Sequence, residues 1–141
     1  MCIKAGVIVY DNLKRKLLTI SNQYDTNIGL PKGNVEDNET DYEAAFRELY
    51  EETGLKFDNN NKPKIVDEYY NKSVGDGCLF YVIHLPNGSL NNNLFKPQES
   101  ENIYNVKWRT LEDLKSNNLA LNLTLRTSKN NIRDYIKYLF K

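Results

Sequence analysis

The fifteen residues TDYEAAFRELYEETG, Thr40 to Gly54, constrain this chain more than any other stretch, because they specify a helix and then load its last turns with like charges. Thr40 with Glu43 three residues later is a capping box, the residues through Glu52 are mostly good helix formers, and Gly54 marks the stop. At about 100° per residue, Glu48, Glu51 and Glu52 fall within roughly a third of the helix circumference, with Arg47 one turn before Glu51. Like charges on adjacent turns cost a few tenths of a kcal/mol per pair, and acids near a helix C-terminus oppose the macrodipole. Helix stability alone does not account for such a face. An acidic run taken by itself is usually a solvated surface. A hard divalent cation would reverse the penalty, because Mg2+ takes oxygen ligands at ~2.1 Å and combines carboxylates with water and substrate phosphate oxygens.

Spacing decides between those two readings. Gly33, five residues, Glu39, seven residues and then RELYEETGL, Arg47 to Leu55, satisfy every constrained position of G-x5-E-x7-R-E-U-x-E-E-x-G-U, where U is apolar. At ordinary residue frequencies a chance match over all frames is on the order of 10^-8. The chain therefore resembles the Nudix hydrolases. That resemblance implies an α/β fold with a mixed β-sheet sandwiched between helices, and hydrolysis of a diphosphate linkage by water attack at phosphorus. It implies Mg2+, or Mn2+ in its place, as one to three ions. Position by position, Glu48, Glu51 and Glu52 resemble the metal ligands, and the carbonyl of Lys32, before the box glycine Gly33, resembles a backbone ligand. Arg47 would orient the acids, Glu39 would brace the loop to the helix, and Gly54 would end it. The proton acceptor varies within the family between a box glutamate and an acid on a distant loop. Here Glu52 is the first candidate, and Glu101, with Glu99 beside it, is the loop alternative.

The word GLPKG narrows the substrate, because relatives acting on diadenosine polyphosphates, diphosphoinositol polyphosphates or capped mRNA often carry PKG where nucleotide-pool sanitizers carry PGG. A Trp often found three residues before that proline is Ile28 here. Polyphosphate substrates need several cations around one pocket, and Lys4, Lys14, Arg15, Lys16 and Lys32 lie in the opening hairpin or the loop to the box. Of these, Lys4, Arg15 and Lys32, with Gly33, are the substrate-binding candidates. Lys129, Arg133 and Lys137 form a basic stripe at helical spacing, which either borders the cleft or is a solvated face. Tyr24, Tyr69, Tyr70 and Tyr81 can stack a base or belong to the core. His84 sits in an apolar strand and reads as structural.

The remaining sequence reads as one domain, residues 1–141. IKAGVIVY and KLLTIS form an opening hairpin, and KIVDEYYN, GCLFYVIHLP and IYNVKW are further strands. Thr110 caps a short helix, and Ile132, Tyr135, Ile136 and Leu139 give the last helix its docking face. The loop from Pro86 to Asn102 reads as long and mobile. Nineteen basic and nineteen acidic residues cancel, which removes any whole-chain field for nucleic acid or membrane and ranks capped RNA behind small phosphoanhydride substrates. ADP-ribose hydrolysis ranks third, and a Nudix-like binding module that cleaves nothing is the reading from another class. With no secretory segment after Met1, Cys2 and Cys78 are expected reduced in the cytoplasm, in a monomer with no membrane partner.

Overall fold

The structure, a computed structural model, describes residues 4–21, 24, 28–57, 63–71, 77–85, 96–98, 103, 105–113 and 138–140. Its strands are β1 (Lys4–Asp11), β2 (Lys16–Ser21), β3 (Ile28–Gly29), β4 (Lys32–Asn34), β5 (Ile65–Asn71), β6 (Cys78–His84) and β7 (Asn105–Arg109), with the helix α1 (Asp41–Thr53) between β4 and β5. The β-branched run of β1 lies at the centre, as its near-complete burial requires. It pairs in parallel with β6 from Lys4↔Cys78 to Tyr10↔His84. Its other edge is shared: the first residues pair antiparallel with β4 (Lys4↔Asn34, Ala5↔Gly33, Gly6↔Lys32), and the last two with β2. The chain forks there. From the fork β2 carries β3 at its far end and β7 along its length, so seven strands form one mixed sheet.

Alternation along β1 divides the core between the two faces of the sheet. Ala5, Val7 and Val9 meet Ala44, Ala45 and Leu49 of α1, together with Leu18 and Ile83. Ile8 and Tyr10 face the other way, onto Phe80, Val82, Leu30 and Phe140, with Leu139 packed beside them. Tyr10 touches the rings of His84 and Phe140 edge to face, at 5.7 and 5.2 Å between centroids, so His84 is part of the packing. Each such fully buried large side chain contributes about 2 kcal/mol of transfer free energy.

The strands expected from the sequence are all present, and β3 and β4 are additional to them. Two and three residues long, they carry no period of their own and exist because β2 and β1 offer free edges. The capped helix after Thr110 begins as read, with Thr110 N–H donating to Asp113 Oδ2 and Asp113 N–H to Thr110 Oγ1. Of the expected C-terminal helix only Tyr138–Phe140 is described, and Lys129, Arg133 and Lys137 lie outside the described residues.

Candidate active site

α1 owes its position to both of its ends. At the start Thr40 Oγ1 accepts from Glu43 N–H (3.1 Å) while Glu43 Oε1 accepts from Thr40 N–H (2.9 Å), the reciprocal bonds of a capping box. At the end Gly54 adopts φ 81°, the left-handed conformation that glycine tolerates best, and donates to the Tyr50 carbonyl. Two more last-turn carbonyls find partners far along the chain: Lys96 N–H donates to Thr53 O (2.9 Å) and Gln98 N–H to Glu51 O (2.8 Å). The segment read as a mobile loop is therefore fastened to α1 at Lys96–Gln98. Glu99 and Glu101 lie outside the described residues.

The charged face of α1 is organised around one guanidinium. Arg47 Nε and Nη2 grip both carboxylate oxygens of Glu39 (2.6 and 3.0 Å), Nη1 donates to Glu48 Oε1 (2.9 Å) and Glu51 Oε1 (3.1 Å), and Nη2 also reaches the Asn34 carbonyl (2.9 Å). Glu36 stands a further 3.5 Å from Nη2. Four carboxylates around one cation relieve the repulsion that the sequence predicts for this face. The hydrogen bond from Arg47 holds the Glu39 carboxyl below the usual carboxylate range, and the same bond is the main reason that the Arg47 pKa lies above its ordinary value. Glu39 also accepts from Glu36 N–H (2.9 Å), which ties the loop after β4 to the helix.

Two acids reach past Arg47 to β4. Glu48 and Glu52 are only 9% and 8% exposed, so each needs a polar partner. Glu52 Oε1 accepts from the Lys32 N–H at 2.8 Å. The Glu48 carboxylate lies against Gly33, in space that any Cβ at that position would occupy. Glu51 is half-buried and shares the Arg47 Nη1 donor with Glu48. These are hard oxygen donors, the set that suits Mg2+ or Mn2+ over softer ions. Among the described residues no three acidic, histidine or cysteine side chains converge as a ready ligand group. Mg2+ asks for less, since it binds through one or two carboxylates and completes its shell with water and phosphate oxygens. Glu48 and Glu52, held beside β4, meet that requirement.

Strand register places the other sequence candidates. Lys4 and Lys32 lie on the sheet face opposite α1, diagonal to each other across the β1–β4 pair, at the end of β1 nearest the acids. Arg15 does not join them. It sits exposed in the β1–β2 turn, beyond the far end of β1, and about seven strand steps of ~3.3 Å separate the two ends. Sequence reasoning missed the Asn34 carbonyl and Glu36, both partners of Arg47, and it missed Gly6, opposite Lys32. Of these only Glu36 had a legible signal, its place three residues before Glu39 in the same loop.

Comparison with known proteins shows the family and the fold. The profile of the NUDIX domain matches residues 2–130. The mRNA decapping complex subunit 2 of Schizosaccharomyces pombe is 29% identical over 111 residues, 77% of this chain and 14% of that protein. Nudix hydrolase 13, mitochondrial, of Arabidopsis thaliana is 38% identical over 80 residues, 51% of this chain and 40% of that protein. The chain thus spans less than half the length of these relatives. Among solved structures, a Caenorhabditis elegans Ap4A hydrolase in a binary complex superposes with a TM-score of 0.65 at 21% identity, covering 96% of this chain and 97% of the other, a likeness of fold.

Proposed function

Because the chain belongs to the Nudix family, we propose that it is a divalent-metal-dependent pyrophosphohydrolase, cleaving a diphosphate linkage by attack of water at phosphorus. The observation that carries this reading is the pair of buried carboxylates, Glu48 on Gly33 and Glu52 on the Lys32 N–H, beside an Arg47 that holds Glu48 and Glu51 in place. Glu48, Glu51, Glu52 and the Lys32 carbonyl would hold Mg2+ or Mn2+. When bound, such an ion supplies charge neutralisation at the bridging phosphates and lowers the pKa of water. Glu52 then accepts the proton of the attacking water, its orientation fixed by the bond from Lys32 N–H. Lys4 and Lys32 are the nearer candidates for phosphate contact, at the end of β1 that pairs with β4 though on the sheet face opposite α1, and Arg15 is the farther one, beyond the other end of β1.

The substrate we favour is a dinucleoside polyphosphate or an inositol pyrophosphate, on the strength of Lys32 in the PKG word and its neighbour Lys4. Capped RNA is the second reading, favoured by the similarity to the decapping subunit across most of this chain. We place the active protein in the cytoplasm as a monomer; among the described residues no helix is long and apolar enough to cross a membrane. The test is product release from diadenosine polyphosphates, inositol pyrophosphates, capped RNA, ADP-ribose and nucleoside triphosphates with Mg2+ or Mn2+, using Glu52→Gln as control. One substrate preferred a hundredfold in kcat/KM, with the rate reduced about 10^3-fold in Glu52→Gln, is the expected result. A Glu52→Gln protein of near-normal rate would remove Glu52 from the mechanism, and tight ligand binding without turnover would make the chain a binding module.

A further inference from the structure

We infer that Gly6, on β1 and outside the box motif, is a positioning residue for the active site: its missing side chain lets β4 close onto β1 so that the Lys32 backbone meets Glu52. The inference rests on the function proposed above and extends it to a residue 27 positions before Gly33.

A β-carbon on Gly6 would strike the Pro31 carbonyl oxygen and come within 2.7 Å of Lys32 Cβ and 2.9 Å of Phe80 Cε1. Two of these three contacts belong to the segment that leads into the site. One is a backbone oxygen, which cannot rotate aside as the end of a flexible side chain can. Val7 N–H donates to that same Pro31 oxygen at 3.1 Å, and Gly6 is directly opposite Lys32 in the strand pair. The next link is Lys32 N–H, which donates to Glu52 Oε1. Displacing Pro31 and Lys32 by the roughly 1 Å needed to bring these contacts to ordinary van der Waals separation would lengthen the Lys32–Glu52 bond and shift Gly33, on which the Glu48 carboxylate rests. Both buried acids are thus registered against β4, and β4 is registered against β1 through Gly6.

Gly29 provides the matched control. It occupies β3, and a β-carbon there meets nothing within 4 Å. The experiment compares wild type, Gly6→Ala and Gly29→Ala by thermal unfolding, by titration with MnCl2 alone, by amide hydrogen exchange at Lys32, and by kcat and KM. Gly6→Ala is expected to unfold cooperatively, to bind Mn2+ at least tenfold more weakly, to exchange the Lys32 amide faster, and to lose kcat more than KM. Gly29→Ala is expected to match wild type in metal affinity and exchange. A Gly6→Ala protein within twofold of wild type in Mn2+ affinity and Lys32 exchange overturns the inference.

If Gly6→Ala alone does not fold, Gly6→Ala with Phe80→Leu removes the aromatic contact and leaves the Pro31 and Lys32 contacts in place. That double variant is expected to remain deficient in Mn2+ binding relative to Phe80→Leu. Full recovery would trace the defect to core packing and would also overturn the inference. Wild-type protein that binds no Mn2+ contradicts the proposed function, while the Lys32 exchange rates still decide the role of Gly6.

Discussion

Helix α1 presents two faces that obey different rules. The face toward β1 consists of Ala44, Ala45 and Leu49, all fully buried among apolar neighbours, and asks only for residues of suitable volume. The face toward β4 consists of Arg47, Glu48, Glu51 and Glu52, and there each side chain meets a particular group: Glu39, the Asn34 carbonyl, the Lys32 amide, the bare backbone of Gly33, or Arg47 itself. Volume sets the first face and atomic position the second. A helix stabilised by its apolar side can carry on its other side charges that oppose its own stability.

The largest effect should come from the apolar face. Leu49→Ala is expected to lower stability by about 3 kcal/mol in urea unfolding while each folded molecule keeps its turnover rate. A rate loss per folded molecule, measured by active-site titration well below the unfolding transition, would show that the two faces are not separable. On the charged face, Arg47→Gln strips Glu48 and Glu51 of their shared donor, and a loss of about 2 kcal/mol is expected. Turnover should fall more than tenfold even at temperatures where the variant is fully folded. If the rate holds, the acids are positioned by β4 alone, and the comparison shifts toward the strand.

The smallest effect concerns pH. Because Arg47 holds the Glu39 carboxyl below the usual range, Glu39 contributes stability that is present above its unfolded pKa of about 4.3 and is lost as pH falls through its lower folded value. Denaturant unfolding between pH 7 and 3.5 should therefore show Glu39→Gln weaker than wild type at neutral pH, with the gap closing only at the acid end. A gap that stays constant with pH would mean that packing, not the ion pair with Arg47, is what Glu39 supplies.

These contrasts also explain what could be read from the residues alone. The box was legible because its chemistry requires particular side chains at fixed spacing on one local element, so Glu39, Arg47, Glu48, Glu51, Glu52 and their helix could be located without coordinates. The long strands were legible from their β-branched runs. β3 and β4 were not, because two or three residues of Ile, Gly, Lys and Asn become strands only when a partner edge is present. Gly6 was illegible for a related reason: inside AGVIV it reads as one small residue among others, and its meaning arises from Pro31 and Lys32, which fold back from a later segment. Arg15 shows what sequence cannot give, the distance in space between a candidate cation and the acids: it lies in the turn beyond the end of β1 away from β4.

The fastening of Lys96–Gln98 to the last turn of α1 bears on how the molecule is made. During synthesis the carbonyls of Glu51 and Thr53 leave the ribosome about forty residues ahead of the amides that bond them. At roughly 5–20 residues per second, the acidic end of the helix waits for several seconds with those two groups open to water. Its capped start, by contrast, is complete as soon as Glu43 has emerged. The capping bonds of its acidic end are complete only when the later segment arrives.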